Sequence, residues 1–278
     1  MTIYELADPA AEQILAEAAA NHVMVRLILD RNLEFHNNQA AFDYLQQHGV
    51  QVVWAAKKYA STHQKSIVVD GTAAAIMTLN LTSRFYPSTR DFAVLDTDPV
   101  DVSAMEQVFD ADFHDGATTS TPAGSDLVWS PTEANTSLLQ LIRSAQTSLQ
   151  IEAEEMSDSA IVTALADAAH RGVRVEVTMT YDESYAKNFG QLVEAGAQVN
   201  TYSADAALYI HAKVILEDYG TPNVALFAGS ENFSATSLDR NRELGLIVTD
   251  PAILFSIHGT LSEDFRGGTP VPFSEPRP

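Results

Sequence analysis

The sequence predicts an α/β fold built from two similar α-β-α sandwich halves that pack as a pseudo-twofold dimer within one chain. Two observations lead to this prediction. Residues 8–25 resemble residues 158–175, and the similarity continues through both halves, which is the pattern of an internal repeat. In each half, helix-like and strand-like segments alternate, which indicates a largely parallel sheet covered by helices on both faces.

The same order of elements can be followed in both halves. Asp8 precedes Pro9 and an Ala-rich stretch, and Asp158 opens the matching stretch; Asp is a favoured N-cap, and Pro suits the first helical position. Alternating strand-like segments follow at 22–30 and 172–180. The remaining pairs are helix-like 37–48 with 185–195, and strand-like 62–71 with 210–220, 73–80 with 224–232 and 91–98 with 243–250.

These segments divide the chain into a first half at residues 1–113, a linker at 114–126, a second half at 127–265 and a flexible tail at 266–278. The linker is rich in Gly, Ser, Thr and Pro. The segment 126–150 carries apolar residues at helical spacing, and the first half has no counterpart to it. We therefore expect the first half to lack its first helix, and the natural protein to begin upstream of Met1 with that helix and an export signal.

Composition and charge narrow the classes of function. The absence of cysteine excludes disulfides and thiolate metal sites, and no apolar run reaches the ~18 residues that cross a bilayer. The first residues lack the basic and apolar regions of a signal peptide. The formal net charge is −21, and such a field repels nucleic acid, so we expect no stable nucleic-acid binding.

Each half contains one His-x-Lys-x4-Asp motif, at equivalent places in the repeat. The motifs are His63, Lys65, Asp70 and His211, Lys213, Asp218. On a strand, residues i and i+2 point to the same face, so each His and Lys project together. A twofold relation brings both pairs to one active site at the seam. There one imidazole can attack a phosphodiester, the other can protonate the leaving alcohol, and the lysines can neutralise the phosphate oxygens.

Polar residues follow each motif at matched distances. We expect hydroxyls and amides to bind the substrate phosphate, from Thr78 and Asn80 in the first half and from Ser230 and Asn232 in the second. Asp91 and Glu243 lie further along, where a carboxylate can orient a histidine through its second ring nitrogen. The predicted catalytic residues are therefore His63, Lys65, Asp91, His211, Lys213 and Glu243.

These residues resemble the phospholipase D superfamily, whose signature is His-x-Lys-x4-Asp, then Gly-Ser-x-Asn, then a downstream Glu. The second half matches it throughout, with Gly229, Ser230 and Asn232 after the motif and Glu243 downstream. In the first half Met77-Thr78 stands for Gly-Ser, and Asp91 stands for Glu. In detail the chain is most similar to bacterial secreted phospholipase D-like and cardiolipin-synthase-like proteins.

The resemblance implies a metal-independent phosphodiesterase with one shared site, a phosphohistidine intermediate and no cofactor. It implies that Asp70, Asp218 and Gly229 support the fold, that His63 is the nucleophile and that His211 is the acid. The expected reaction is cleavage of phospholipid head groups by a monomer, with water as acceptor, or transphosphatidylation with an alcohol. The alternatives are a nuclease, a cardiolipin-synthase-like phosphatidyltransferase and a binding module without activity. Secretion of the full-length protein follows from the same resemblance.

Other residues leave alternatives open. Metal binding by His63 and His211 is disfavoured because the adjacent lysines would repel a cation and no third ligand is evident. Glu152, Glu154 and Glu155 form an acidic cluster at a strand end; contact with the substrate is one alternative, and we expect a solvated edge. Two tryptophans are candidates for the mouth of the cleft or for the core, and five other aromatic residues for contact with an alcohol or lipid: Trp54 and Trp129, then Phe85, Tyr86, Tyr181, Tyr185 and Tyr209.

Overall fold

The structure, a computed structural model, describes residues 1–114, 122 and 124–272 of the chain. It confirms an α/β fold with two similar halves. Most of the predicted linker, residues 115–121 and 123, lies outside the described residues, as do residues 273–278 of the predicted tail. The boundaries proposed for the linker therefore stay predictions.

The first half begins with a short strand and a capped helix. The Asp8 carboxylate accepts a hydrogen bond from the amide of Ala10, and Pro9 is the first helical residue, as expected for this N-cap. In chain order the elements are β1 (Thr2–Ile3), β2 (Leu6–Ala7), α1 (Pro9–Ala20), β3 (Arg26–Leu29), α2 (Phe35–Gln47), β4 (Gln51–Trp54), β5 (Ser66–Val69), β6 (Ala73–Met77), β7 (Leu81–Thr82), β8 (Thr89–Arg90), β9 (Ala93–Asp96) and α3 (Pro99–Phe113).

The second half repeats this series with additions at both ends. Asp158 caps the helix that matches α1, because its carboxylate accepts hydrogen bonds from the amides of Ala160 and Ile161. The elements are β10 (Leu127–Ser130), α4 (Ala134–Ser144), β11 (Ser148–Ala153), α5 (Ser159–His170), β12 (Arg174–Thr180), a 3₁₀ turn (Glu183–Tyr185), α6 (Ala186–Glu194), β13 (Gln198–Tyr202), β14 (Tyr209–Ile210), β15 (Lys213–Glu217), β16 (Ala225–Gly229), α7 (Ala235–Asp239), β17 (Glu243–Val248), α8 (Pro251–Gly267) and β18 (Thr269–Pro270).

Each half contains one large sheet, and the two sheets share a strand order. The first is β4-β3-β1-β5-β6-β9, and the second is β10-β17-β16-β15-β11-β12-β13-β18. Strands β13-β12-β11-β15-β16-β17 of the second sheet thus correspond to the six strands of the first. The second sheet adds β10 at one edge and β18 at the other. The repeat in the sequence is therefore a repeat of topology.

Only part of each sheet is parallel, so the prediction of a largely parallel sheet was wrong. Strands β1, β3 and β4 run parallel, as do β11, β12 and β13, because helices connect them. Strands β5, β6 and β9 pair antiparallel. Asp70 and Gly71, both with positive φ, make a tight turn between β5 and β6, and this turn is too short for the crossover that a parallel pair requires.

The seam between the two halves is a packed apolar core. Both sheets contribute to it, the first through Ala74, Ile76 and Val94, and the second through Val214, Leu226 and Leu246. Trp129 is fully buried in this cluster, so it belongs to the core and not to the mouth of the cleft. Trp54 stacks on Phe42 with ring centroids 4.4 Å apart and packs against the core of the first half.

The second half extends into residues that the sequence analysis assigned to a tail. Helix α8 ends at Gly267, and Thr269 and Pro270 pair with Thr201 and Asn200 in β13. The predicted tail therefore begins too early, because residues 266–270 form regular structure. Helix α4 has no counterpart among the described residues of the first half. Within the described ranges, no helix combines the length and apolar character needed to cross a bilayer.

Candidate active site

The imidazole of His63 is held by residues of the second half. The chain just before β5 runs beside the start of β17, so that the amide of His63 donates to the carbonyl oxygen of Arg242 at 2.9 Å. His63 Nδ1 lies 2.8 Å from Glu243 Oε2 and 3.1 Å from the carbonyl oxygen of Ser230. Burial lowers the pKa of His63 below its usual value, although the charge of Glu243 opposes this shift. The imidazole is therefore biased towards its neutral form.

The imidazole of His211 is held in the same way by residues of the first half. Strand β14 pairs with β8, and the amide of His211 donates to the carbonyl oxygen of Arg90 at 3.2 Å. His211 Nδ1 lies 2.7 Å from Asp91 Oδ1. Each half thus supplies the carboxylate for the histidine of the other half. With Nδ1 occupied, Nε2 is the ring nitrogen that can meet a ligand on each side, and that of His211 also lies 3.5 Å from Glu154 Oε2.

A buried lysine accompanies each histidine. Lys65 and Lys213 are both fully buried, and the ammonium group of each donates to the carbonyl oxygen of the histidine two residues earlier. Burial lowers the pKa of Lys65 to about 7, against the opposing charge of Glu243. Lys213 Nζ also donates to Glu154 Oε2 at 2.8 Å. Two buried cations beside two imidazoles create a strong local attraction for an anion, within a chain of net charge −21.

The carboxylate of Glu243 is fully buried and accepts several hydrogen bonds. Its Oε1 accepts from Ser237 Oγ at 2.6 Å and from Asn241 Nδ2 at 3.0 Å, while Oε2 faces His63. Burial acts to raise the pKa of Glu243, but the charge and hydrogen bond of His63, with the charge of Lys65, hold it below its usual value. Glu243 is therefore an ionised group that keeps the Nδ1 proton of His63 in place.

The carboxylate of Asp91 accepts fewer hydrogen bonds than that of Glu243 among the described residues. Its Oδ1 accepts from Thr78 Oγ1 at 2.7 Å as well as facing His211, and its side chain is 11% exposed, against 0% for Glu243. Burial acts to raise the pKa of Asp91, but the hydrogen bond and charge of His211 and the charge of Lys213 keep it below its usual value. Asp91 is thus also ionised, with fewer bonds to fix it.

Both imidazoles open into one cleft between the halves. This cavity of about 560 Å³ is lined by polar and aromatic side chains, which include Tyr4, His63, Asn80, Phe85, Tyr86, Asp91, Glu154, Glu155, Tyr209, His211 and Asn232. The arrangement brings two imidazoles, two amides and three carboxylates to a space large enough for a small phosphodiester. Two imidazoles that face one cleft, each held at Nδ1 by a carboxylate, suit phosphoryl transfer through a covalent intermediate.

The family described as "Cardiolipin synthase, PLD-like domain" matches residues 1–113 and 138–266, which is most of both halves. The chain belongs to the phospholipase D superfamily. The match covers both His-x-Lys-x4-Asp motifs and both carboxylates that hold the histidines. The duplicated fold of this phospholipase D-like chain thus carries one motif in each matched segment.

One curated relative is similar to part of the chain in sequence, and two solved structures are similar to it in fold. An enzyme of Rickettsia prowazekii named phospholipase D is 34% identical over 115 residues, which are 41% of this chain and 53% of that relative. The match thus spans about half the length of the curated relative. In fold, the chain is similar to polyphosphate kinase of Porphyromonas gingivalis, with a TM-score of 0.74 and 15% identity over 99% of this chain and 45% of that one. It is also similar to phosphatidylserine synthase of Haemophilus influenzae, with a TM-score of 0.70 and 15% identity over 98% and 82% of the two chains.

The phospholipase D-like site places some predicted phosphate ligands differently from the expectation. Asn80 and Asn232 line the cleft, as expected. Thr78 and Ser230 are almost fully buried, and their hydroxyls serve the protein: Thr78 donates to Asp91, and Ser230 Oγ accepts from the amide of Leu244 at 3.1 Å. The predicted role of these hydroxyls as phosphate ligands does not fit this placement. Strands β6 and β16 end one residue earlier, at Met77 and Gly229, so the alternation of a strand does not carry each hydroxyl to the side of the asparagine two residues later.

The residues predicted to support the fold do so by different means. Asp218 is buried, and its carboxylate accepts hydrogen bonds from the amides of Gln146, Thr147 and Ser148 at the start of β11. Asp70 occupies the matching turn but is exposed. A Cβ on Gly229 would lie 2.4 Å from the Cα of Gly245, so this position in the tightly packed sheet requires glycine.

The acidic cluster is not the solvated edge that we expected. Glu152 is fully buried, and burial together with the charge of Asp264 raises its pKa well above the usual value. Glu154 contacts Lys213 and His211, and burial acts against a low pKa there, but the charges of Lys213 and His211 hold it far below the usual value. Glu155 is half-buried on the cleft wall, and burial raises its pKa above the usual value.

Sequence reasoning missed three residues that build this site. Ser237 and Asn241 fix Glu243, and they lie in a polar stretch between the Gly-Ser-x-Asn signature and the downstream Glu, which the sequence analysis left without a role. Glu154 was named but read as solvated. Among the aromatic candidates, Phe85, Tyr86 and Tyr209 line the cleft. Tyr181 and Tyr185 pack beside Phe189, with ring centroids 6.1 Å and 6.3 Å away. In the part of the chain that is described, no three His, Asp or Glu side chains are placed so that they could hold a metal ion together.

Proposed function

We propose that this chain is a phosphodiesterase of the phospholipase D type that cleaves the head group from phospholipids through a phosphohistidine intermediate. The observation that carries the proposal is the reciprocal pairing at one cleft. His63 is held by Glu243 at 2.8 Å and His211 by Asp91 at 2.7 Å, and each carboxylate comes from the opposite half. One chain therefore completes the site, which supports a monomeric enzyme.

The reaction proceeds in two half-reactions. In the first, the lone pair of His63 Nε2 forms a bond to phosphorus, the bond from phosphorus to the head-group oxygen breaks, and His211 Nε2 gives its proton to the departing alkoxide. In the second, neutral His211 takes a proton from water, the water oxygen attacks phosphorus, and the bond to His63 breaks. Phosphatidic acid leaves, and both imidazoles return to their starting forms.

The lysines and asparagines act on the phosphate in both steps. Lys65 and Lys213 place two positive charges beside the reacting centre, where they balance the negative charge on the non-bridging oxygens without a metal ion. The amides of Asn80 and Asn232 are on the cleft wall and can donate to the same oxygens. No cofactor is required for this chemistry.

The charge and lining of the cleft favour a phospholipid over a nucleic acid. Asp91, Glu154 and Glu155 line the cavity, together with the aromatic rings of Tyr86 and Tyr209. Carboxylates and aromatic faces attract a cationic head group and repel a chain of phosphates. The net charge of −21 extends this repulsion over the whole molecule.

A comparison of substrates tests the proposal. The chain is incubated with phosphatidylcholine, phosphatidylethanolamine and single-stranded DNA at matched salt, with and without excess EDTA. We expect head-group release from the phospholipids, feeble cleavage of DNA and no loss of activity with EDTA. Faster cleavage of DNA would establish the nuclease alternative, and activity that is lost in EDTA and restored by zinc or magnesium would contradict the metal-independent mechanism.

Transfer of the phosphatidyl group to an alcohol is the second candidate. The matching family carries cardiolipin synthase in its description, and the mechanism requires only that an alcohol replaces water in the second half-reaction. Adding ethanol or glycerol to the phospholipid assay and measuring the exchanged phosphodiester tests this candidate. Secretion stays a prediction from the sequence resemblance, and it is tested by assaying for the protein in the medium of cells that express its natural gene.

A further inference from the structure

The repeat places a tyrosine and a glutamate at equivalent positions beside the two histidines. In the first sheet Thr2 pairs with Ile28, and in the second sheet Glu152 pairs with Thr178, at the matching step of the repeat. Two residues further along, Tyr4 in the first half therefore corresponds to Glu154 in the second. This is a departure from symmetry inside the cleft itself.

The two side chains make different contacts. The ring of Tyr4 packs edge-on against His63, with ring centroids 4.5 Å apart, and Lys65 Nζ lies 5.0 Å from the centre of the tyrosine ring. In the second half, Glu154 Oε2 lies 2.8 Å from Lys213 Nζ and 3.5 Å from His211 Nε2. An aromatic ring thus stands on one side where an ionised carboxylate stands on the other.

This difference places unlike charges around the two imidazoles. The charged groups that face His211 are Asp91 at Nδ1, Glu154 at Nε2 and the neighbouring Lys213, with the phenol of Tyr209 bonded to Glu154 at 3.1 Å. A carboxylate at each ring nitrogen favours the imidazolium form. Among the described residues, His63 has a carboxylate only at Nδ1, and burial lowers its pKa. A nucleophile needs a free lone pair, whereas a general acid needs a proton.

We propose that Glu154 is a positioning residue that assigns the roles of the two histidines, by holding the acid proton on His211 Nε2 and so leaving His63 as the nucleophile. The inference rests on the proposed function, because it presupposes a phosphohistidine mechanism. Glu154 forms no bond to substrate in this account. The proton goes from His211 Nε2 to the departing alkoxide, and the carboxylate of Glu154 stays ionised throughout.

The test compares two short-chain phosphatidyl esters that differ only in their leaving group, choline or p-nitrophenol. An alkoxide needs the acid proton to leave, whereas p-nitrophenolate leaves as an anion. We expect Glu154→Gln to slow alcohol release in the first turnover by about tenfold or more for the choline ester, and by less than about twofold for the p-nitrophenyl ester.

Two further variants distinguish this role from a structural one. Glu154→Asp keeps the carboxylate, so it should keep the ratio of the two ester rates within about threefold of the wild-type ratio. Glu155→Gln removes a negative charge from the neighbouring residue, which has no ion pair with either histidine. It should weaken binding of the cationic choline ester only, so at saturating substrate the first-turnover rates of both esters should change by the same factor. Thermal unfolding of each variant is measured beside the kinetics.

The rates of the two esters distinguish failure of the proposed role of Glu154 from failure of the proposed function. An equal loss on both esters in Glu154→Gln, or no change in either, overturns the inference and leaves the proposed function standing. The inference is also overturned if Glu154→Asp changes the ratio of the two ester rates as much as Glu154→Gln does. If Glu154→Gln does not fold, Glu154→Asp alone decides by this ratio. A wild-type chain that cleaves neither ester overturns the proposed function, and the inference falls with it.

Discussion

In the first half the imidazole of His63 packs against the ring of Tyr4, whereas in the second half His211 faces the carboxylate of Glu154. The backbones around the two histidines are related by the repeat, and each histidine is held at Nδ1 by a carboxylate of the other half. Two histidines at equivalent positions of a duplicated fold can therefore have different chemical surroundings when a single neighbouring side chain differs, here Tyr4 in one half and Glu154 in the other.

The two carboxylates that hold the histidines also differ, in their burial and in the hydrogen bonds that they accept. Glu243 is completely buried and accepts from Ser237 and Asn241, while Asp91 is slightly exposed and accepts from Thr78 alone besides its histidine, as far as the described hydrogen bonds go. The group that holds His63 is therefore fixed more firmly than the group that holds His211. A nucleophile that must approach phosphorus along one direction benefits from such fixation.

The largest effects should come from removing either histidine. His63→Ala and His211→Ala should each reduce turnover of a phosphatidylcholine by on the order of 10³-fold or more, and the double variant should lose little beyond this, because the two groups act in one pathway. Steady-state rates check the loss. With the p-nitrophenyl ester, His211→Ala should still give a burst of p-nitrophenol and then stop, whereas His63→Ala should give none. Near-normal turnover in either single variant would exclude a shared site.

The carboxylates should respond unequally to conversion into amides. In Glu243→Gln the amide can donate to His63 Nδ1, which moves the ring proton to Nε2 and blocks the nucleophile, so we expect a loss of about 10²-fold or more. In Asp91→Asn the same change leaves a proton on His211 Nε2, where the acid needs it, so the loss should be smaller. First-turnover rates with the p-nitrophenyl ester measure both. Equal losses, or a larger loss in Asp91→Asn, would contradict the assigned roles.

The two buried lysines should differ in how their charge depends on pH. Because burial brings the pKa of Lys65 to about 7, its ammonium is lost as pH rises through this value, and kcat/KM for the p-nitrophenyl ester should fall there. Tyr4→Glu would give Lys65 the kind of carboxylate partner that Lys213 has in Glu154, and should move this decline to higher pH. A pH profile of wild type and variant checks the prediction, and an unchanged decline would show that another group titrates.

The smallest effect concerns stability. Asp70 and Asp218 occupy matching turns with positive φ, so an alanine at either one meets the same backbone strain. Asp218 also accepts three backbone amides, and leaving them without an acceptor should cost about 1–3 kcal/mol more than the loss of the exposed Asp70. Chemical denaturation of Asp218→Ala and Asp70→Ala measures this difference. Equal destabilisation would mean that the hydrogen bonds of Asp218 contribute nothing net.

Much of this site could be predicted from spacing. The repeat revealed the matching halves, and the His-x-Lys-x4-Asp motifs with Asp91 and Glu243 led to the residues that meet in the cleft. The pairing of each histidine with the carboxylate of the other half could not be predicted, because spacing within one half does not show which residues of the two halves come into contact. The strand directions were wrong for a local reason: the Asp70-Gly71 turn makes a hairpin.

Glu154 was misjudged because a run of acidic residues usually faces water. The alternation along a strand already places Glu152 and Glu154 on one face, but only the packing against Asp264 and Lys213 shows that this face is inside the protein. Ser237 and Asn241 could not be assigned from the sequence, since they reach Glu243 through the turn at helix α7 and not through a fixed strand spacing.

The most direct test of the account is the site of the covalent intermediate. His211→Ala, which lacks the base for the second half-reaction, is mixed with the short-chain phosphatidyl p-nitrophenyl ester, quenched in alkaline denaturant to preserve the bond between phosphorus and nitrogen, digested and mapped by mass spectrometry. The account predicts a phosphatidyl group on the peptide that contains His63. A protein that releases p-nitrophenol but carries the group on another residue, or carries none, would contradict it.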